Sequence, residues 1–367
     1  MQALGIVRIL GQRDVSAVVI DSTRYSLARR SKFCKAFYRV KDEDLEEFLL
    51  GSFCSNEYKG WTIFPTNDFH VRLLSVNRDK LQQIYIVSTD RWEVTETFYN
   101  KTKTYRLAEK TGIPIPDTYF PSDITDLDGK DFIYPCIIKP AVMVDFYRKV
   151  KKKVFLCRNE EELSKNYREA LKVIPAEEII IQEVVPGDSR NQFSACFLFL
   201  DGHSYARLTA CRMRQHPLDF GNATTYAEVT EAPGLLEYGE KLLEAAGYNG
   251  VCEVEFKFDQ RDGQYKLLEV NPRTWKWHSI AEKAGTPFLP LYFDHLSGKT
   301  ISPVEGYKHV SFCHATTDIP VRMALLARGQ RHWKRVLRPV QHAVWNRSDP
   351  APWFFEKLFL FSYVMSR

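Results

Sequence analysis

The chain has 367 residues, 44% of them hydrophobic, which is too long for one ordinary core and predicts two or three domains. Its 51 basic and 46 acidic residues leave a formal charge of +5 spread over alternating signs, a balance that suits anionic small molecules and does not imply nucleic acid. Eight cysteines (Cys34, Cys54, Cys136, Cys157, Cys196, Cys211, Cys252 and Cys313) show no C-x-x-C or metal-finger spacing and read as buried thiols of a reducing compartment. The N-terminus lacks the order of a signal peptide, and no apolar run approaches the roughly 20 residues of a membrane span. A cytoplasmic protein is expected.

Met1 to Leu10 reads as a helix, Ala17 to Asp21 as a strand, Asp42 to Leu50 as a helix, Trp61 to Pro65 as a strand and Asp68 to Leu81 as helix-like. Strands separated by helices predict a parallel sheet over residues 1–98. A helix from Lys101 ends at Gly112, where the glycine and the following Pro114 and Pro116 supply a cap and a stop, making a junction between regions. Beyond it, Cys136 to Lys139 and Val154 to Cys157 read as short strands, Glu160 to Leu171 as a helix and Glu178 to Val185 as a buried strand. Gln192 to Leu200 and Ser204 to Arg212 form a hairpin around Asp201-Gly202. The expected class is therefore α/β followed by α+β, partitioned at 1–98, 99–185, 186–300 and 301–367. The last part is basic and aromatic and carries the apolar stretch Trp353 to Met365. A helix packed on the body is favoured there over attachment to a membrane surface, because the run is too short to span a bilayer. A homodimer contact is the other use of such a stretch.

The most informative segment is Gly250 to Arg273, G-V-C-E-V-E-F-K-F-D-Q-R-D-G-Q-Y-K-L-L-E-V-N-P-R. Cys252, Val254, Phe256 and Phe258 alternate with Glu253, Glu255, Lys257 and Asp259, the pattern of a half-buried strand. With Arg261 to Gly263 as the loop, Gln260 faces Gln264 and Glu255 falls opposite Glu269. Carboxylates on opposed Cβ atoms, roughly 4.5 to 5.5 Å apart, repel unless a cation or proton lies between them. Asn271, two residues on, adds a neutral oxygen and completes an all-oxygen set suited to Mg2+. Arg273 is placed to reach developing phosphoryl charge. The competing interpretation is a surface hairpin with solvated acids; the apolar Leu267-Leu268 and the continuation Asn-Pro-Arg-Thr-Trp count against it.

These residues resemble a known family. Glu269-Val270-Asn271-Pro272-Arg273 is similar to the E-[IV]-N-[PT]-R signature of ATP-grasp enzymes, with Glu255 where that family places its other metal-binding group. The resemblance implies two α+β lobes sandwiching ATP behind an N-terminal parallel-sheet domain. It implies Mg2+ (or Mn2+) held by Glu255, Glu269 and Asn271, with Arg273 steadying the transferred phosphoryl group. Three further segments follow in family order. Tyr134-Pro-Cys-Ile-Ile-Lys139-Pro resembles the strand whose lysine contacts phosphates. Ile179-Ile-Ile-Gln182-Glu183-Val-Val185-Pro-Gly187-Asp188 resembles the hinge that reads adenine, with Gln182 or Glu183 at the exocyclic amine, Val185 offering backbone groups and Asp188 at the ribose. In the basic run Arg148 to Lys153, Lys153 is the candidate for a second phosphate-binding lysine, against a solvated charge run. Arg212 and Arg214 are candidates for clamping a γ-phosphate or acyl phosphate, against a structural role.

The branch it resembles is that of predicted carboxylate-amine ligases, including D-aspartate ligase-like enzymes. Ser22-Thr-Arg-Tyr-Ser26, Phe64-Pro-Thr-Asn-Asp68, Asn100-Lys101 and Gly112-Ile-Pro-Ile-Pro116 carry that likeness, and Lys101 is grouped with the nucleotide-binding residues. Relatives open with a strand and glycine-rich turn, which this chain is expected to lack ahead of its first helix. The implied reaction joins a carboxylate, such as an amino acid or sugar acid, to an amine through an acyl phosphate, releasing ADP and phosphate. A kinase- or carboxylase-type phosphotransferase, or a regulatory nucleotide-binding protein, are the alternatives. Trp275, Lys276, Trp277 and His278 follow the metal strand and are read either as an acceptor pocket, with His278 catalytic, or as tryptophans packed in the core with Lys276 and His278 capping a helix.

Overall fold

The computed structural model describes residues 1–150, 154–218, 221, 223–330, 339–358 and 360. Near the N-terminus, β1 (Ala17–Asp21) pairs in parallel with β2 (Cys34–Arg39), and β3 (Thr62–Ile63) pairs in parallel with β4 (Ile86–Val87). The helix Gln2–Gly11 precedes them and buries Leu4, Ile6, Val7, Ile9 and Leu10. Of the expected Trp61 to Pro65 strand only two residues enter a ladder, and the Asp68 to Leu81 stretch divides into helices Asp68–Val76 and Arg78–Leu81 around Asn77. Asn67 caps the first of these by accepting from the His70 amide at 2.8 Å.

The helix Lys101–Thr111 is capped by Asn100 and closed by Gly112 at φ +67°, a conformation a residue without a Cβ adopts freely. It leads into a four-stranded antiparallel sheet of β5 (Thr118–Tyr119), β6 (Cys136–Pro140), β7 (Phe155–Cys157) and β8 (Ile179–Glu183) in the order β5-β8-β6-β7. Ile138, Ile179 and Ile181 pack under the helix Glu160–Leu171, whose Leu163, Tyr167 and Ala170 form its inner stripe.

The larger sheet contains β9 (Gln192–Leu200), β10 (His203–His216), β11 (Ala223–Val229), β12 (Gly250–Asp259), β13 (Gln264–Asn271), β14 (Ser311–Cys313) and β15 (Val340–His342), ordered β13-β12-β9-β10-β11-β14-β15. Both faces of this sheet are covered. Leu198, Leu208, Trp275, Trp277 and Phe288 fill one side, and Phe197, Phe199, Leu242, Val254 and Phe256 the other. That explains the unbroken apolar run in β9, which alternation cannot reveal. Residues after 300 supply two of the seven strands, and the helix Ala351–Leu358 follows Asp349, which is buried against Arg8 at 2.8 Å, Ser31 and the Lys32 amide. Only the first part of the stretch Trp353 to Met365 lies within the described residues. No described helix is long and apolar enough to cross a membrane.

Candidate active site

The β12–β13 hairpin sets Glu255 opposite Glu269 and Glu253 opposite Asn271. The pairing expected for Glu255 and Glu269 is therefore present, but the path to it differs. Asp259, not Gln260, faces Gln264, and a bulge at Leu268 restores the step lost in the longer turn. The bulge turns the Leu268 carbonyl toward the Tyr105 hydroxyl, which donates to it at 2.5 Å.

Four oxygen-bearing side chains thus share one face: Glu253, Glu255, Glu269 and Asn271. Glu255 accepts from Arg212 (2.9 Å) and from Gln192 (2.5 Å), both on strands further into the sheet. Glu269 pairs with Lys101 at 3.0 Å; that lysine holds its carboxyl well below the ordinary range, and burial opposes the charge of Lys101 while Glu269 restores it. Asn271 donates through Nδ2 to Glu253 and to Glu255, each at 3.2 Å, and its Oδ1 accepts from Arg273 at 2.9 Å. Arg273 also donates to Asp68 at 2.6 Å, tying the end of β13 to the first turn of the helix Asp68–Val76. Glu253 accepts from Ser194 at 2.9 Å; burial and then the neighbouring Glu255 push its carboxyl well above the ordinary range. Among the described residues no three acidic, histidine or cysteine side chains converge on one point, because Arg212 draws Glu255 one way and Lys101 draws Glu269 the other. The donor set still fits a hard divalent cation: carboxylate oxygens of Glu253, Glu255 and Glu269 beside the Asn271 amide.

Beside this face stands a second group. Lys139 on β6 donates to the Tyr105 hydroxyl at 2.6 Å and to Gln182 on β8 at 2.7 Å, and Gln182 donates to Thr118. The Lys101 amide donates to the carbonyl of Ala141, just past β6. Lys101, Lys139 and Gln182 are therefore linked, directly or through Tyr105, to the strand carrying Glu269.

Several expected residues lie elsewhere. The Glu183 side chain alternates away from Gln182 and is held by Arg261 (2.6 Å), Lys266 (3.0 Å) and the Asp117 amide (3.0 Å), so its carboxylate is a structural anchor and not a reader of adenine. Burial opposes its ionisation, but these three donors hold its carboxyl below the ordinary range. Asp188 caps the turn Ser189–Asn191 and pairs with Arg190, and Val185 is buried. Arg214 makes a two-pronged pair with Asp318 (2.7 and 2.9 Å) over the ring of Tyr226, fastening the helix Ala315–Ala327 to β10; it does not join Arg212 at Glu255. His278 is not catalytic in this arrangement. Its ring is buried with Nδ1 on the Trp275 carbonyl at 2.7 Å, and its Nε2 sits where a Cβ on Gly5 would come within 2.5 Å. Burial lowers its pKa to about 4. Trp275 and Trp277 pack in the core, as the second interpretation of that segment expected. Lys153 lies outside the described residues.

Sequence reasoning passed over Glu253, Tyr105, Ser194, Gln192 and Asp68 as members of the site. Glu253 was visible through its parity with Glu255. Gln192 and Ser194 are brought in by pairing between strands, Tyr105 by the Leu268 bulge and Asp68 by Arg273, none of which leaves a local signal.

Residues 228–293, which include the hairpin and Arg273, match the model for the carbamoyl-phosphate synthase L chain, ATP binding domain. Solved structures similar to the whole fold include N5-carboxyaminoimidazole ribonucleotide synthetase in its ADP complex, with a TM-score of 0.64 at 15% identity over 89% of this chain and 82% of that one. The biotin carboxylase of Campylobacter jejuni gives 0.67 at 15% identity over 84% and 72%. The chain has the ATP-grasp fold. The L-amino acid ligase of Bacillus licheniformis shares this ATP-grasp fold too, with a TM-score of 0.59 at 16% identity over 85% and 77%. In sequence the chain is 27% identical to D-aspartate ligase of Enterococcus faecium over 240 residues, covering 60% of this chain and 54% of that one. It therefore spans about half the length of that relative.

Proposed function

We propose that the protein is an ADP-forming carboxylate-amine ligase that uses ATP with Mg2+ or Mn2+. The observation that carries this reading is the opposition of Glu255, Glu269, Asn271 and Arg273 to Lys101, Lys139 and Gln182. Acidic oxygens on one side suit a cation and the cations on the other suit phosphates, while Arg212 and Arg273 lie beside the carboxylates. The sequence likeness to D-aspartate ligase and the shared fold of an L-amino acid ligase support the same class.

A carboxylate is a poor acyl donor until its oxygen is phosphorylated, so the enzyme first transfers a phosphoryl group to the acid and then lets an amine displace phosphate. The bound cation would neutralise phosphate charge and hold the transferring group in line. Lys139 and Lys101 neutralise phosphate oxygens, and Arg273, held by Asp68, offers its guanidinium to the developing charge. No nucleophilic side chain is required. The carboxylate is a small acid, an acidic amino acid or sugar acid fitting the basic balance of the chain. Eight unpaired cysteines suit a reducing cytoplasmic compartment.

The test is ADP release from Mg-ATP against a matrix of carboxylates and amines, with mass spectrometry of each positive reaction. ADP formation that requires both partners and yields a product lighter by one water than their sum supports the ligase. ADP formed with the acid alone, leaving a stable phosphoester or carboxylated product, would replace it with the phosphotransferase or carboxylase reading.

A further inference from the structure

We propose that Glu253 is a direct carboxylate ligand of the divalent cation, completing with Glu255 and Asn271 a cation position at the buried end of the carboxylate face. The inference deepens the ATP-dependent reading and rests on it.

Glu253 and Glu255 stand two residues apart on β12, so their side chains leave the same face of the strand. Across the ladder they meet Asn271 and Glu269. Three of the four members have charged partners in this structure: Arg212 for Glu255, Lys101 for Glu269 and Arg273 for Asn271. Glu253 is only 2% exposed, and its hydrogen-bond partners are the neutral Ser194 hydroxyl and Asn271 amide. A carboxylate removed from water to this degree needs a cation or a proton.

The gap for a cation is marked by an atom already there. Asn271 Nδ2 sits 3.2 Å from Glu253 Oε2 and 3.2 Å from Glu255 Oε1, at the long end of hydrogen-bond distances, bridging two carboxylates with a neutral group. Exchange of amide nitrogen for amide oxygen by rotation about χ2, with Arg273 giving up its bond to Oδ1 and keeping Asp68, turns that bridge into three oxygens facing one space, the donor type Mg2+ and Mn2+ take. Glu269 beside Lys101 is then left to the phosphate end of the site. Both Glu253 oxygens accept, one from Ser194 and one from Asn271, so a glutamine here keeps both contacts only by turning its amide nitrogen to Ser194 and reversing that bond.

Glutamine is also the decisive substitution, because it copies the shape of a protonated carboxyl but cannot offer a charge. Free Mn2+ is followed by electron paramagnetic resonance as it is titrated into the full chain with ADP present, for the wild type, Glu253→Gln, Glu253→Asp, Glu255→Gln and Glu269→Gln. Circular dichroism and thermal unfolding are recorded on each. The expected result is Mn2+ binding weakened by roughly tenfold or more in Glu253→Gln, at least the scale of losing an outer partner of a metal ligand. Its metal-free unfolding temperature should be at or above wild type, the gain in that temperature on adding Mn2+ should shrink, and Glu253→Asp should recover part of the affinity. Wild-type Mn2+ binding by Glu253→Gln, with Glu255→Gln and Glu269→Gln impaired, overturns the inference and leaves the ligase reading standing, with Glu253 carrying a proton. Wild-type Mn2+ binding by all three glutamine variants overturns both.

Discussion

Two groups of carboxylates and cations lie along the same face of the β12–β13 hairpin, one near its turn and one near its open end. Near the turn, Asp259 and Glu183 meet Arg261 and Lys266 in a closed set, with Lys266 within 2.7 Å of Asp259 and 3.0 Å of Glu183. Each carboxylate has at least two cationic donors, and Arg261 holds the Asp259 carboxyl far below the ordinary range despite burial. At the open end, three carboxylates face Arg212 and Lys101, and Glu253 is left with neutral partners. The difference teaches how to tell a structural charge cluster from a binding one built on the same strands. The first gives every carboxylate cationic donors within the protein, and the second leaves one carboxylate, Glu253, to neutral partners.

Glu269→Gln tests the comparison hardest. It should lower ADP formation by roughly 10²-fold or more, the scale for losing one charge-stabilising group, while thermal unfolding without nucleotide changes little; steady-state ADP release checks it. A variant with full turnover would remove the distinction between the two clusters. Asp259→Asn should do the reverse. Breaking a buried pair costs roughly 3 kcal/mol or more, seen in urea unfolding, with turnover per folded molecule retained. Because the folded Asp259 carboxyl is depressed, its stabilisation is present above the unfolded value near pH 4 and is lost as pH falls through the folded one. The variant should therefore lose less stability on acidification than the wild type.

Two smaller effects concern residues the sequence offered to catalysis and the structure assigns to packing. His278 is buried neutral, so its contribution is present above about pH 6.5 and lost as pH falls toward its folded value of about 4. His278→Gln should flatten the fall in unfolding temperature across that window and leave the pH profile of turnover unchanged. Arg214→Lys should cost roughly 1.5 to 3 kcal/mol through the lost two-pronged pair with Asp318, again without a change in the KM for ATP.

Much of the site was legible because its residues follow one another on two strands. A period of two fixes which side chains of one strand share a face, while the pairing of Glu255 with Glu269 came from an assumed turn one residue shorter than the real one, a difference the bulge at Leu268 offsets. The helix ending at Gly112 was legible from its glycine cap and the prolines after it, and the strand Ala17–Asp21 from its sequence pattern. Pattern failed at β2 and β11, which present mixed polar sequences, and it left Arg214 open between a phosphate clamp and a structural role, because its partner Asp318 lies 104 residues away. Glu183 shows a different limit. Its neighbour Gln182 belongs to the Lys139 group, and alternation sends the next side chain to the opposite side, so a motif read as a unit divides between two environments. The strands β14 and β15 were hidden for a third reason: three residues each, they owe their extended form to the sheet they join.

The bulge at Leu268 has a mechanical consequence. By taking one carbonyl out of the ladder it gives Tyr105 a fixed point on the hairpin, and the same hydroxyl accepts from Lys139 on the other sheet. A single phenol oxygen therefore spans the space between the two sheets. Phenylalanine at that position would keep both cores and remove the link, so that the strand carrying Lys139 would no longer be registered against the strand that carries Glu269.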